Sequence, residues 1–177
     1  CFLLFQHAFN MFDGINLHIG LYSIIFLITF FYITKINFFI LMILPFLFFL
    51  SLNFSNKSYM GDGGCYLISY LFSIYCVYFY NVGKLNSEQI FLLMMIPGID
   101  MMRLFIHRIY LGKSPFNPDR KHLHHYLLLK FSNFSANFIS ILLIITPITI
   151  YFIFENFINI LVLSTVLYLS ILYYVSK

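Results

Sequence analysis

An all-α fold, a polytopic membrane helix bundle of about six transmembrane helices, is expected here on three observations. The chain of 177 residues is 62% hydrophobic and only 9% charged, against about 25% charged in ordinary soluble domains. Its mean hydropathy is +0.91. Its apolar runs approach the roughly 20 residues that a helix needs to cross a bilayer, and short polar breaks separate them. Residues 1–177 therefore read as one transmembrane domain with no soluble domain and no internal repeat.

Taken in order, hydropathy and breakers place helices at 17–34, 38–52, 64–81, 88–107, 136–154 and 158–176, with loops at 53–62 and 108–135. The second of these spans only about 22 Å and contains Pro45, so a kink is expected there. The cysteines Cys1, Cys65 and Cys76 lack metal-type spacing and read as packing residues. The chain opens on Cys1 rather than Met, and the expectation is a piece that lacks an N-terminal part.

Alternate crossings put the segment up to His18, the 53–62 loop, the 108–135 loop and Lys177 on one face. That face carries Lys57, Arg108, Lys113, Arg120, Lys121, Lys130 and Lys177, against Lys35 and Lys84 opposite. By the positive-inside rule it is the cytoplasmic one. Asp13, Asp62, Asp119 and the histidines share it.

Polar side chains that interrupt such a chain mark candidate chemistry. In Asn10-Met-Phe-Asp-Gly-Ile-Asn16 the polar residues recur every third position and can share one face; a cap and turn would explain them too. Gly61-Asp62-Gly63-Gly64 opens a helix, where Asp62 is either a site residue or an N-cap. Carboxylates gathered at one face suit Mg²⁺, which takes one or two protein carboxylates together with water and phosphate oxygens. His122, His124 and His125 beside Arg120 and Lys121 form a basic cluster fit for a diphosphate. The alternatives for that loop are contact with anionic lipid and a structural zinc site. Asp100 lies three residues before Arg103, a spacing that suits an intrahelical ion pair.

Together these segments resemble the polyprenyl-phosphate N-acetylhexosamine-1-phosphate transferases, in the family's order over residues 7–125. His7 to Asn16 is similar to the pattern NAxNxxDGxDG, with Asn10, Asp13 and Gly14 matching and with His7 and Asn16 departing from it. Tyr59-Met-Gly-Asp-Gly-Gly-Cys65 resembles F-M-G-D-[SA]-G-S, with Cys65 in place of the usual serine. Ser114-Pro-Phe-Asn-Pro-Asp-Arg-Lys-His-Leu-His-His125 closely resembles S-P-F-x-x-D-x-x-H-[IL]-H-H. This histidine pattern resembles the branch that starts O-antigen, enterobacterial common antigen or teichoic-acid linkage units, rather than the peptidoglycan translocase branch. The family's paired aspartates are absent from the chain, and the expectation is that they lie upstream.

The resemblance implies transfer of a sugar 1-phosphate, N-acetylhexosamine 1-phosphate first among the options, from a UDP-sugar to polyprenyl phosphate, with release of UMP. It implies catalytic roles for Asp13, Asp62, His122, His124 and His125, with Asp62 and Asp13 on the metal. Asn10, Tyr59, Arg120 and Lys121 would contact substrate, Tyr59 by stacking on uracil. Mg²⁺ is the expected cofactor, with Mn²⁺ as the alternative. The expected setting is the bacterial inner membrane with a cytoplasmic active site, a lipid bilayer around it, no nucleic-acid partner, and a homodimer as a permitted assembly. Two rivals stand beside this reading. One is a transporter that uses Asp100 as an intramembrane ion site, and the other is a noncatalytic remnant of such an enzyme. This stretch alone is expected to be inactive.

Overall fold

The structure is a computed structural model and describes residues 2–115 and 121–177. Among the described residues it holds helices and no strand: α1 (Phe2–Met11), α2 (His18–Thr34), α3 (Phe38–Leu41), α4 (Ile43–Phe54), α5 (Gly61–Asn81), α6 (Ser87–Tyr110), α7 (Leu123–Lys130), α8 (Asn133–Phe154) and α9 (Phe157–Ser176). The chain is a polytopic membrane helix bundle. Four of the helices, α5, α6, α8 and α9, are long and apolar enough to cross a membrane. Their outward faces carry exposed Leu, Ile, Val and Phe, such as Leu142, Ile153, Val162 and Leu163, as a lipid-facing surface requires.

Two helices lie outside the expected set. α1 occupies a stretch too short to span and packs between α5 and α6 through Phe5, Ala8 and Phe9. α7 interrupts the basic loop expected to run over 108–135 and packs on α8 and α9. The 38–52 segment divides at Met42 rather than bending at Pro45. Pro45 sits in the first turn of α4, where an amide has no partner to lose.

The core joins the helices through aromatic rings. Phe26 of α2 stacks on Phe72 of α5 with ring centroids 4.7 Å apart and planes 2° apart. Tyr22 stacks against Phe9 of α1 at 5.3 Å and donates its hydroxyl to the Leu93 carbonyl of α6 at 2.6 Å. Gly20 lets α4 approach α2 closely, since a Cβ there would lie 2.6 Å from Leu50 Cδ2. α6 begins with a capping box, in which the Asn86 side chain accepts from the Gln89 amide and Gln89 accepts from the Asn86 amide.

Hydrogen bonds define the two ends of the bundle. At one end Asn16 meets Asn56, the Leu17 amide meets Asn53, and Asn137 reaches the Asn16 carbonyl. At the other, Lys84 reaches the Thr34 carbonyl, and Tyr151 meets both Asn86 and Glu88. The Asp13, Asp62 and His122–His125 segments lie at the first end.

Candidate active site

Asp13 lies in the turn between α1 and α2, and it reaches α5 directly. The Cys65 thiol donates to Asp13 Oδ2 at 3.3 Å. Cys65 is one turn along the helix from Asp62, so this bond brings the two aspartate segments together. Burial raises the Asp13 pKa from 3.8; the Cys65 hydrogen bond opposes this, and the negative charge of Asp62 adds to it. Asp62 is exposed in the first turn of α5. Its N-cap reading fails, because the cap position is Met60 and no side chain caps that helix. Asp13 does not cap α2 either, since Leu17, with φ 73°, occupies that position.

Beside Asp13 opens a cleft of about 180 Å³, lined by Asp13, Gly14, Asn16, Asn53, Tyr59 and Met60 among others. Tyr59 is two-thirds exposed (67%) at its edge, which leaves its ring face available to a planar ligand. Buried Asn53 shapes the cleft by donating to the Ser58 carbonyl and accepting from the Leu17 amide. Asn10, half-buried, shares the turn, and its carbonyl accepts from the Asp13 amide.

The histidine segment approaches from the other side. His124 packs against Gly14 so closely that a Cβ on that glycine would lie 1.8 Å from its Nε2. Ring contacts link His124 to His122, stacked at 5.5 Å, to His125 at 4.3 Å, and to His18 of α2 at 5.7 Å. The three histidines, expected to act alike as a basic cluster, have different surroundings. His124 is buried, and burial pushes its pKa down to about 2, with His18, His125 and His122 adding to the effect. It is a neutral imidazole at neutral pH, and neither of its ring nitrogens has a hydrogen-bond partner among the described residues. His122 is buried but bonded to Asp100, and His125 is half-buried. Lys121 is exposed, and its carbonyl accepts from Arg103. Arg120 and Asp119 lie outside the described residues.

Asp100 makes the expected ion pair with Arg103 at 2.8 Å. Its carboxylate also meets His122 Nδ1 at 2.8 Å and accepts from the Tyr168 hydroxyl at 2.6 Å. A carboxylate so fully engaged is a poor ion-transport site, and the transporter reading loses its central residue.

Known proteins share part of this sequence. The chain is 31% identical over 141 residues to the undecaprenyl-phosphate alpha-N-acetylglucosaminyl 1-phosphate transferase of Escherichia coli (strain K12), a match covering 69% of this chain and 37% of that protein. To the Haemophilus influenzae transferase of the same name it is 37% identical over 75 residues, 41% of this chain and 21% of the relative. Over the matched stretches the chain is similar to these transferases. It spans well under half the length of either relative. No family model matches it, and no solved structure does.

Two carboxylates near the cleft could hold a divalent cation. Among the described residues no group of three or more His, Cys, Asp or Glu side chains is set to hold a metal. Asp13 and Asp62 are hard oxygen donors, and the charge of Asp62 raises the cost of ionising the half-buried Asp13. A Mg²⁺ ion completed by water and phosphate oxygens needs no more protein ligands than these two.

Several participants carry no legible signal in the sequence. Tyr168 sits among other tyrosines on an apolar helix, and His18 opens one. Cys65 was readable only as a substituted serine. Its bond to Asp13 depends on how α1 and α5 meet.

Proposed function

We propose that the protein transfers a sugar 1-phosphate, N-acetylhexosamine 1-phosphate in the first instance, from a UDP-sugar to polyprenyl phosphate at one membrane face, releasing UMP. The observation that carries this reading is the convergence of Asp13-Gly14, Asp62 and His122–His125 at one end of the bundle through the Cys65–Asp13 bond and the Gly14–His124 contact. The names of the relatives support a lipid-phosphate acceptor. An aqueous donor and a membrane-bound acceptor must meet at such an interface.

In the proposed step an oxygen of the lipid phosphate attacks the β-phosphorus in line. The bond from that phosphorus to the bridging oxygen breaks, and UMP leaves with the bridging oxygen. Asp62 and Asp13 would hold Mg²⁺, which when bound neutralises the crowded phosphate charge. Tyr59 presents a face for the uracil ring at the cleft edge, with Asn10 near the nucleotide sugar. His122, His125, Lys121 and Arg120 supply donors for the diphosphate. Buried His124 holds Gly14 and the Asp13 turn in place. The lysine-rich face is assigned to the cytoplasm, and the reaction to an early membrane step of envelope polysaccharide synthesis.

The test uses this chain with whatever flanking sequence its gene encodes, purified in detergent with UDP-GlcNAc, polyprenyl phosphate and Mg²⁺. UMP release is expected, and Asp62→Asn should lower it on the order of 100-fold or more. Wild-type turnover in that variant would remove Asp62 from the site, and no UMP from the unaltered protein would overturn the reading.

A further inference from the structure

At His122 three parts of the chain, distant in sequence, are tied to one carboxylate. Asp100 of α6 is 1% exposed. One of its oxygens, Oδ2, lies 2.8 Å from His122 Nδ1. The other accepts from Arg103 at 2.8 Å and from the Tyr168 hydroxyl of α9 at 2.6 Å. The Leu123 amide, the first of α7, points at the same carboxylate at 3.3 Å. Arg103 closes the ring by donating to the Tyr168 oxygen at 3.0 Å and to the Lys121 carbonyl at 2.6 Å. Asp100 is thus fixed by its own helix, by the last helix and by the start of α7.

A carboxylate beside a guanidinium is an acceptor, so His122 Nδ1 must be the donor of their hydrogen bond. That assigns the proton to one ring nitrogen and leaves Nε2 for another partner. An imidazole free to rotate or to exchange tautomers would offer a phosphate oxygen no constant geometry. An imidazole held by a buried acceptor does, and outer partners of this kind set the orientation and basicity of functional histidines elsewhere.

We propose that Asp100 and Tyr168 are positioning residues for His122: Asp100 holds its Nδ1–H so that Nε2 faces a substrate phosphate oxygen, and Tyr168 fixes Asp100. The final helix, which carries none of the motif residues, thereby becomes part of the site. The kinetic consequence rests on the transferase reading; the protonation of Nδ1 does not.

Two measurements test it in the purified protein. Imidazole ¹⁵N NMR, with His122 assigned by its loss in His122→Gln, should show Nδ1 protonated in the unaltered protein and that state weakened in Asp100→Asn. An unprotonated Nδ1 in the unaltered protein would overturn the proposal whether or not the protein turns over. In the kinetic arm, Tyr168→Phe keeps the ring packing and removes one hydrogen bond. It should lower kcat about five-fold with little change in KM and should have no further effect in a His122→Ala background. An equal loss in both backgrounds would mean that Tyr168 acts on the fold rather than through His122. Should Asp100→Asn fail to fold, Tyr168→Phe and the spectrum of the unaltered protein still decide. No UMP release from the unaltered protein would sink the transferase reading and leave this one to the NMR result.

Discussion

Asp13 is half-buried beside another carboxylate, with one thiol as its hydrogen-bond donor. Its pKa is raised in the folded protein, so the folded state binds its proton more tightly than the unfolded state does. The sign follows: stability is lost as pH rises from the unfolded value through the folded one, and the penalty is complete above the folded value. Asp13→Asn, measured without divalent cation, should therefore raise Tm at neutral pH. The gain should shrink toward zero as pH falls below 3.8. Thermal unfolding in detergent across a pH series checks this, and a fall in Tm or a gain independent of pH would contradict it. UMP release by the same variant should be lost. The spacing of Asn10, Asp13 and Asn16 and the resemblance to the family's pattern marked Asp13 as a candidate site residue, yet its thiol partner and its electrostatic state follow from a contact between two helices that no local pattern encodes.

At the scale of elements, α7 turns the histidine segment into structure. Residues 108–135 read as a loop because their charges and histidines break the hydropathy, and the apolar run in Leu123–Lys130 is too brief to register as a helix. The helix forms because tertiary contacts supply what its length cannot. Leu123 and Leu127 are fully buried, and the Leu123 amide is bonded to Asp100. Its seat against the Asp13 turn depends on Gly14, where a Cβ would meet the His124 ring at 1.8 Å. That ring is enclosed by Phe12, His18, His122 and His125 and has nowhere to swing. Gly14→Ala should cost about 1–3 kcal/mol of stability by overpacking. Adding His124→Ala should restore part of the loss, as read by thermal unfolding of both variants. No recovery in the double variant would show that the clash lies elsewhere. The longer helices were legible to within a few residues because an uninterrupted apolar run admits little else, whereas α1 and α7 are too short to declare themselves.

For the whole molecule, the placement of the 53–62 and 108–115 segments at one end and of 82–86 and 155 at the other is a statement about sidedness. Exposed Lys57 and Lys113 mark the first end, and exposed Val82 and Glu155 the second. Single cysteines placed at these positions in a Cys1→Ser background should react with a membrane-impermeant maleimide in two groups. Lys57→Cys and Lys113→Cys should label from one side, and Val82→Cys and Glu155→Cys from the other; Cys65 and Cys76 are buried. Any mixing of the groups would break the assigned order of crossings. Composition and hydropathy by themselves determined a helical membrane protein, since lipid accepts few other backbones. Motif spacing marked Asp13, Asp62 and the histidines as candidate chemistry. Only the tertiary structure decided which of these touch, that His124 is neutral and buried beneath Gly14, and that Tyr168 and Asp100 hold His122. Those outcomes depend on distances between helices remote in the chain, and a linear pattern records what each residue can donate or accept but not what stands opposite it.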